Sequence, residues 1–216
     1  MSLKAKLLDL LFPPRCPFCD GPLSGPAPCP RCRDAHVWLQ GAQAVVPGQA
    51  FVRCVCAGWY RDTLRASVLR FKFSNCPDYA KAYGPILAQA IRTHLPGTYD
   101  VLTWVPVSPE TLTRRGYDQA QLLAAATAAA LGTAAVSLLT KTGNNVPQSS
   151  LSDGWKRRQN VAGVYTVPDP AQVDGRRILL LDDILTTGAT LEEAARTLHQ
   201  AGAVQVVAAA FCRTPK

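Results

Sequence analysis

The chain has 216 residues, of which 48% are hydrophobic and 18% are charged, and it carries a formal net charge of +8. This length supports one substantial core with a small appended module, and the composition excludes long disordered tracts. No apolar run approaches the roughly 20 residues that span a bilayer, so we expect no membrane insertion. The charge favours anionic partners such as nucleotides or nucleic acid, although a generally basic surface explains it equally well.

The first twelve residues form an apolar stretch that superficially resembles a secretory leader. Asp9 interrupts this stretch, and residues 13–16, Pro-Pro-Arg-Cys, lack the small residues of a cleavage site. We therefore expect residues 1–12 to form a short amphipathic helix that packs on the protein, and we expect the protein to be cytoplasmic.

Two C-x-x-C pairs follow, with nine residues between them. In a reducing compartment, clustered cysteines favour a metal ion over disulfides, and the paired spacing argues against redox thiols. Four thiolates form the closed tetrahedral site that is typical of structural zinc. We interpret residues 1–48 as an N-terminal helix and zinc-binding module and residues 49–216 as a second domain. The predicted zinc ligands are Cys16, Cys19, Cys29 and Cys32.

Strand and helix patterns alternate through the rest of the chain, after a linker candidate over residues 40–49. Such alternation predicts an α/β fold with a mainly parallel sheet flanked by helices. The predicted strands cover residues 51–60, 101–107, 136–140, 161–167 and 204–212, and the predicted helices cover residues 61–73, 78–95 and 118–131.

The most informative stretch is residues 178–190, where an apolar run ends in Asp182 and Asp183 and a Thr/Gly loop follows. A buried parallel strand is a continuous apolar run, and open α/β sheets bind ligands at the carboxyl ends of such strands. Carboxylates accept hydrogen bonds from ribose hydroxyls, and N–H groups of a loop before a helix suit a phosphate. An ordinary turn explains one Asp and one Thr. Two adjacent acids at the end of a buried strand need a partner, which favours the sugar-phosphate interpretation.

Two basic stretches follow loops and are candidates for pyrophosphate binding. Arg114 and Arg115 precede Gly116, and Arg157 lies in a run of three basic residues. Arginine side chains bind phosphate oxygens well, but solvated loops carry such residues too. The sequence alone leaves both alternatives open.

The segment from Trp59 to Phe73 interleaves basic and aromatic side chains. Stacking aromatics beside cations are typical of single-stranded nucleic acid binding, whereas a core position for the aromatics is at least as good an explanation. The residues concerned are Trp59, Tyr60, Arg61, Arg65, Arg70, Phe71, Lys72 and Phe73.

Residues 178–190 resemble the signature of the type I phosphoribosyltransferases, an acidic pair followed by T-T-G-x-T. The order of motifs also resembles the ComF family over nearly the whole chain: the paired C-x-x-C, Arg115-Gly-Tyr-Asp-Gln119, Arg157-x-x-Asn160-Val-x-Gly163 and the acidic pair. The resemblance implies a type I phosphoribosyltransferase-like fold with a small N-terminal four-cysteine zinc module. Asp118 is a departure, since Asn is usual there, and a carboxylate weakens anion binding unless it faces away or joins a metal ion.

The resemblance also implies a ligand, phosphoribosyl pyrophosphate (PRPP), with Mg²⁺ bridging its pyrophosphate and ribose oxygens. Asp182 and Asp183 then hold the ribose hydroxyls and are the catalytic candidates. Arg115 and Arg157 contact the pyrophosphate. The loop that holds the 5′-phosphate consists of Thr186, Thr187, Gly188, Ala189 and Thr190.

At the level of function, the resemblance implies a PRPP-binding protein of natural competence that acts in uptake or processing of single-stranded DNA. Its expected partners are then single-stranded DNA and DNA-processing proteins. The alternative is an active phosphoribosyltransferase of nucleotide metabolism with an unidentified acceptor. A structural adaptor with a vestigial site is a third hypothesis, against which the intact acidic pair and loop argue.

Overall fold

The computed structural model describes residues 15–23, 25, 27–34, 38–142 and 163–215. Two predictions lie outside this range, namely the helix over residues 1–12 and the pyrophosphate contact of Arg157. No helix in the described ranges is both long enough and apolar enough to cross a membrane.

A five-stranded sheet lies at the centre of the molecule, with the strand order β1-β2-β7-β6-β3. The pairs β2–β7, β7–β6 and β6–β3 are parallel, and only the edge strand β1 is antiparallel to its neighbour. The predicted mainly parallel sheet is therefore confirmed. The strands of the sheet are β1 Val45–Pro47, β2 Arg53–Trp59, β3 Val101–Trp104, β6 Arg177–Leu185 and β7 Gln205–Arg213, and a separate antiparallel pair is formed by β4 Thr140–Lys141 and β5 Tyr165–Thr166.

Helices cover both faces of the sheet. Two of them, α3 and α5, approach each other closely because Gly84 has no side chain: a Cβ there would lie 2.5 Å from the carbonyl carbon of Ala126. The helix α5 ends at Gly132, which has a φ of 77° and caps the helix as predicted. The α-helices of the described residues are α1 Pro30–Arg33, α2 Asp62–Phe73, α3 Ala80–His94, α4 Pro109–Arg115, α5 Gln119–Leu131 and α6 Ala189–Gln200.

The strand β6 divides its apolar run between two cores. Leu179 and Leu181 pack in the core that contains α2, α3 and α5, whereas Ile178 and Leu180 pack in the core that contains α6. All four side chains are fully buried, because both faces of the sheet are covered. This explains why the run is continuous in sequence and does not alternate with polar residues.

The crossovers that leave β3 and β6 run in opposite directions. After β3, α5 packs on one face and returns the chain to the outer side of β3, where the N–H of Val136 donates to the carbonyl of Leu102. After β6, α6 packs on the other face and leads to β7. The carboxyl ends of β3 and β6 therefore flank a topological switch point, which is where open α/β sheets bind ligands.

Several predicted elements differ in the structure. The strand predicted over residues 101–107 ends at Trp104, shortly before Pro106, which has no N–H to continue the ladder. Of the strand predicted over residues 136–140, only Thr140 is strand, and of the described part of the strand predicted over 161–167, only Tyr165 and Thr166 are. These residues belong to β4 and β5, which pair with each other instead of joining the main sheet. The linker candidate over residues 40–49 contains a 3₁₀ turn and β1, which pairs with β2.

Candidate functional site

The acidic pair lies in β6 at the crevice between the carboxyl ends of β3 and β6. The ladder with β3 ends at Leu181, whereas the ladder with β7 continues to Leu185. The side of β6 that faces away from β7 is therefore open at Asp182 and Asp183, and both carboxylates line the crevice.

Asp183 forms an ion pair with Lys72, the penultimate residue of α2. The Nζ atom of Lys72 lies 2.8 Å from Oδ1 of Asp183, and the two side chains are 18% and 12% exposed. This lysine is the partner that the two buried acids require. The sequence pattern placed Lys72 among candidate nucleic-acid contacts, and nothing in it pointed to Asp183, which lies over one hundred positions away.

Asp182 is held by its own neighbour in the chain. Its Oδ1 accepts a hydrogen bond of 2.7 Å from the backbone N–H of Asp183. Burial and the negative charge of Asp183 raise the pKa of Asp182 to about 7, against the opposing effects of Lys72 and this N–H group. The carboxyl group of Asp182 is therefore partly protonated near neutral pH. Strongly shifted acids in a crevice are typical of functional sites.

The predicted phosphate loop connects β6 to the N-terminus of α6. Gly188 has a φ of 82°, a left-handed conformation that favours glycine, and the N–H of Ala189 donates to the hydroxyl of Thr187 at 3.4 Å. Thr186 and Thr190 line the same crevice as the acidic pair. The loop thus combines hydroxyl groups with the N-terminus of a 12-residue helix, a combination that suits a phosphate group.

Arg115 is the last residue of α4 and lies in the wall of the crevice. Its Nη1 donates to Oε1 of Gln119 at 2.6 Å, and its guanidinium carbon lies 5.0 Å from the ring centre of Phe73. Its Nε is buried and has no hydrogen-bond partner in the described ranges of the chain. Burial lowers the pKa of Arg115, although the charge of Asp183 acts against this. An anion in the crevice would supply the missing acceptor.

Asp118 faces the backbone of the protein. Its carboxylate accepts hydrogen bonds from the N–H groups of Val107 at 3.0 Å and Gln121 at 3.1 Å, and it caps α5. Burial raises the pKa of Asp118, while the N–H donors act in the opposite direction. The sequence left two arrangements in which the Asp118 carboxylate would not weaken anion binding: it faces away, or it joins a metal ion. The structure shows the first, because the carboxylate is bonded to backbone N–H groups.

The crevice has a volume of about 700 Å³ and mixes charged with aromatic walls. Pockets of this size accommodate nucleotide-sized ligands. Arg114, which was predicted with Arg115 as a pyrophosphate candidate, also lines the crevice. Several other lining residues were not predicted for this site, because they come from separate elements of the chain. These are Tyr60, Lys72, Phe73, Glu110, Lys141 and Tyr165.

The four predicted zinc ligands lie together. All four sulfur atoms are within 4.8 Å of one another, and those of Cys19 and Cys29 are 3.7 Å apart. A tetrahedral zinc ion with Zn–S bonds of about 2.3 Å separates its sulfurs by about 3.8 Å. The cluster is therefore compatible with a structural zinc ion.

Two of the four cysteines, Cys16 and Cys32, have pKa values that are shifted in opposite directions. Burial alone would raise the pKa of Cys16, but N–H groups of Cys29, Cys19 and Phe18 outweigh it and lower this pKa to about 7. Burial and the neighbouring sulfurs raise the pKa of Cys32. A metal ion would offset that rise, because bound thiols lose their protons.

The aromatic residues from Trp59 to Phe73 were predicted either to stack on nucleic acid or to lie in the core, and they occupy both exposed and buried positions. Phe71 is fully buried, whereas Phe73 is 65% exposed at the mouth of the crevice. Arg70 donates to backbone carbonyls of the cysteine module, and Arg213 lies over the ring of Trp59. Phe73 and Tyr60 therefore face the crevice, whereas Phe71 and Trp59 have structural contacts.

The chain is similar to known proteins over much of its length. Residues 120–216 match the family described as "Phosphoribosyl transferase domain". The chain is 31% identical to the DNA utilization protein YhgH of Salmonella typhi, over 92% of this chain and 84% of that protein. It is 29% identical to the competence protein ComFC of Bacillus subtilis, over 87% of this chain and 72% of that protein. A solved glutamine phosphoribosylpyrophosphate amidotransferase from B. subtilis matches 62% of this chain and 26% of its own, at 22% identity and a TM-score of 0.42.

Proposed function

The chain belongs to the ComF family, and from this premise we propose that it binds PRPP in the crevice between β3 and β6 and acts in uptake or processing of single-stranded DNA. One observation carries the ligand assignment. The acidic pair, Thr186 and Thr190 of the loop at a helix N-terminus, and Arg115 line a single crevice, and the buried Nε of Arg115 has no hydrogen-bond partner among the described residues. These groups match the hydroxyls, the phosphate and the pyrophosphate of PRPP.

Each part of the ligand has a candidate partner in this arrangement. Asp182 and Asp183 accept hydrogen bonds from the ribose hydroxyls, and residues 186–190 donate to the 5′-phosphate. Arg115 supplies a donor to the pyrophosphate, and we propose the same role for Arg157. Mg²⁺ bound with the ligand neutralises part of the pyrophosphate charge and retains several waters, as it usually does in proteins.

Lys72 has two anionic neighbours once PRPP is bound. In the structure it neutralises Asp183 at 2.8 Å. We propose that it turns from this carboxylate to a phosphate oxygen when the ribose hydroxyls and Mg²⁺ engage the acidic pair. The exchange of one anionic partner for another costs little, because the ammonium group stays paired throughout.

Any transfer reaction at this site would rest on electrostatics. Cleavage of the bond between ribose C1 and the pyrophosphate develops positive charge on the sugar and negative charge on the leaving group. The carboxylates of Asp182 and Asp183 lie where they stabilise the first charge. Arg115 and Lys72 lie on the side of the crevice where they stabilise the second.

Calorimetric titration with PRPP and Mg²⁺ tests the assignment. We expect the wild-type protein to bind and Asp183→Asn to weaken binding by about a hundredfold, because a charged acceptor and its bonds are lost. Asp78→Asn is the matched control, since Asp78 is exposed and pairs only with Lys81 among the residues described. No binding by wild-type protein, or equal binding by Asp183→Asn, would remove the assignment.

The alternative, an active phosphoribosyltransferase of nucleotide metabolism, is favoured by the aromatic wall of the crevice. Tyr60, Phe73 and Tyr165 line it and offer a surface for a planar acceptor. This alternative predicts pyrophosphate release that depends on both Mg²⁺ and an acceptor. Binding of PRPP without release across a panel of bases and amines would favour the first proposal.

Direct binding of single-stranded DNA is the finer part of the proposal and has its own test. Phe73 is 65% exposed at the mouth of the crevice, and the half-buried guanidinium of Arg115 lies against its ring. We expect fluorescence anisotropy to show DNA binding that weakens steeply with salt, and Phe73→Ala to weaken it further. Leu112→Ala, which removes another exposed apolar side chain, is the control. An affinity that does not change with salt would argue against direct binding.

A further inference from the structure

Helix α2 contacts both the four-cysteine cluster and the acidic pair. Near its middle, the hydroxyl of Ser67 donates to the carbonyl of Pro17 at 2.5 Å. One turn later, Nη2 of Arg70 donates to the carbonyls of Pro17 at 3.1 Å and Phe18 at 3.0 Å. Two residues further on, Lys72 pairs with Asp183. A single helix therefore joins the two sites.

The acceptors on the cysteine side belong to the turn that carries two metal ligands. Pro17 and Phe18 are the only residues between Cys16 and Cys19. The N–H of Asp20 donates to the carbonyl of Cys16, which closes this turn. A metal ion on the two sulfurs fixes the turn further, and with it the direction of the two carbonyls that Arg70 contacts.

The rest of the contact leaves little freedom between the turn and the helix. The ring of Phe18 is fully buried and packs against Tyr83 and Phe211, at 5.6 and 6.4 Å between centres. Ser67 is also fully buried and shares its hydroxyl with Tyr83. Close-packed interiors transmit displacements, so a shift of the turn moves α2 as well.

The position of Lys72 depends on that of α2. At 2.8 Å, its contact with Asp183 is a charge-assisted hydrogen bond, and a displacement of about 1 Å would break it. The Nε atom of Arg70 donates to the hydroxyl of Tyr79 at 3.3 Å. Arg70 thus ties the helix end that carries Lys72 to the cysteine turn.

We infer that the four-cysteine turn positions Lys72 in the PRPP site through Arg70, so that metal binding and PRPP binding are linked. This inference rests on the proposed PRPP site. Arg70 is a positioning residue, because it lies outside the crevice wall and acts on the ligand only through Lys72. Linkage is reciprocal, so bound PRPP also raises the affinity of the cluster for zinc.

A double-mutant cycle on PRPP affinity tests the inference. We expect Lys72→Met to raise the dissociation constant about tenfold and Arg70→Met to raise it about fivefold. The double variant should bind as weakly as Lys72→Met alone, because Arg70 has nothing left to position. Zinc content and thermal stability are measured on every variant. Lys81→Met, which removes an exposed cation from the next helix, is the control and should bind as wild type does.

A second readout follows the metal. We expect 1 mM PRPP with Mg²⁺, on the order of a saturating concentration, to lower the fraction of zinc that a chromogenic chelator takes at equilibrium from wild-type protein, and not from Lys72→Met. If Arg70→Met does not fold, Arg70→Lys takes its place, since it keeps the charge and loses the fork that spans two carbonyls.

The outcomes distinguish failure of the proposed PRPP site from failure of its coupling to the cysteine turn. Wild-type protein that does not bind PRPP overturns the proposed function. Wild-type protein that binds PRPP, with effects of Arg70→Met and Lys72→Met that multiply in the double variant, overturns only the coupling. Unchanged affinity in Arg70→Met overturns the coupling as well.

Discussion

The four-cysteine cluster and the crevice at the ends of β3 and β6 are held together in opposite ways. The cluster is closed, and its four sulfurs come from two C-x-x-C segments that a metal ion would join. The crevice is open, and its charged groups come from α2, α4, β4 and β6. In the cluster, a bound metal ion would hold the ligands together. In the crevice, the fold itself positions the charged groups and already pairs Lys72 with Asp183.

This difference separates stability from binding. Removing the metal should cost the protein its fold in that region, because the cluster has little core of its own. Removing one crevice residue should weaken ligand binding and leave the fold intact, because the sheet is buried by its two apolar cores. Variants at the cluster should therefore change mainly stability, and variants at the crevice should change mainly ligand binding.

Cys16→Ser should have the largest effect. Loss of one of four thiolates prevents closed tetrahedral coordination, and we expect zinc content to fall and the thermal midpoint to drop by more than about 10 °C. Chelation of zinc from the wild-type protein should reproduce the drop. Cys76→Ser is the control, because Cys76 lies outside the cluster. A midpoint within about 2 °C of the wild-type value would show that the cluster does not contribute to stability.

Arg115→Met should affect binding without affecting stability. Loss of the donors near the pyrophosphate should raise the dissociation constant for PRPP by about 10- to 100-fold, since bonds to charged groups contribute about 1.5–3 kcal/mol. Calorimetric titration measures this, and thermal unfolding should stay close to wild type. The control is Arg196→Met, whose arginine pairs with Glu193 on α6, away from the crevice. Wild-type affinity in Arg115→Met would exclude this arginine from the site.

Asp182→Asn should stabilise the protein while it weakens PRPP binding. The pKa of about 7 in the folded protein lies above the value near 3.9 in an unfolded chain. The folded state therefore holds the proton more tightly, and this contribution to stability is lost as the pH rises from about 4 to about 7. We expect Asp182→Asn to raise the thermal midpoint by about 5 °C at pH 8 and by less at pH 5.

The control for this pH dependence is Asp78→Asn, which removes an exposed carboxylate and should shift the midpoint little at either pH. A gain in Asp182→Asn that is the same at pH 5 and pH 8 would contradict the raised pKa. A loss of stability at pH 8 would contradict the view that ionisation of this carboxyl group opposes folding.

Asp118→Asn should have the smallest effect. Asparagine caps helices as well as aspartate does, and its side-chain oxygen can still accept from a backbone N–H of the two that Asp118 contacts. We expect stability to change by less than about 1 kcal/mol in urea unfolding and PRPP affinity to change less than about twofold. A gain in affinity above about fivefold would show that the carboxylate does repel the pyrophosphate.

The two regions were also unequally predictable. All four cysteine ligands lie within residues 16–32, so their spacing alone predicted the cluster that the structure contains. The acidic pair and its loop form one contiguous motif, and the structure places them in the crevice as expected. No local pattern identified Lys72 as a residue of this site, because its partner Asp183 is distant in the chain. A lysine on a solvated surface can have the same neighbours in sequence.

Errors in the predicted strands have a related cause. An apolar run predicts an extended segment, but it does not specify a partner. Residues 136–140 were expected to form a strand of the main sheet, and instead Thr140–Lys141 pairs with Tyr165–Thr166 to form a separate ribbon. The choice depends on which backbone groups the rest of the fold leaves available, and this is not written in any local pattern.

Local patterns were enough to predict the four-cysteine cluster, the buried parallel strand with its acidic end, and the alternation of strands and helices. These depend on local spacing and on the periodicity of apolar residues. Only the tertiary structure decided that Lys72 neutralises Asp183, that Asp118 faces the backbone and that one helix joins the cysteine turn to the crevice. Such contacts form between residues far apart in the chain, and their distances are set by how α2 packs between the cysteine turn and β6.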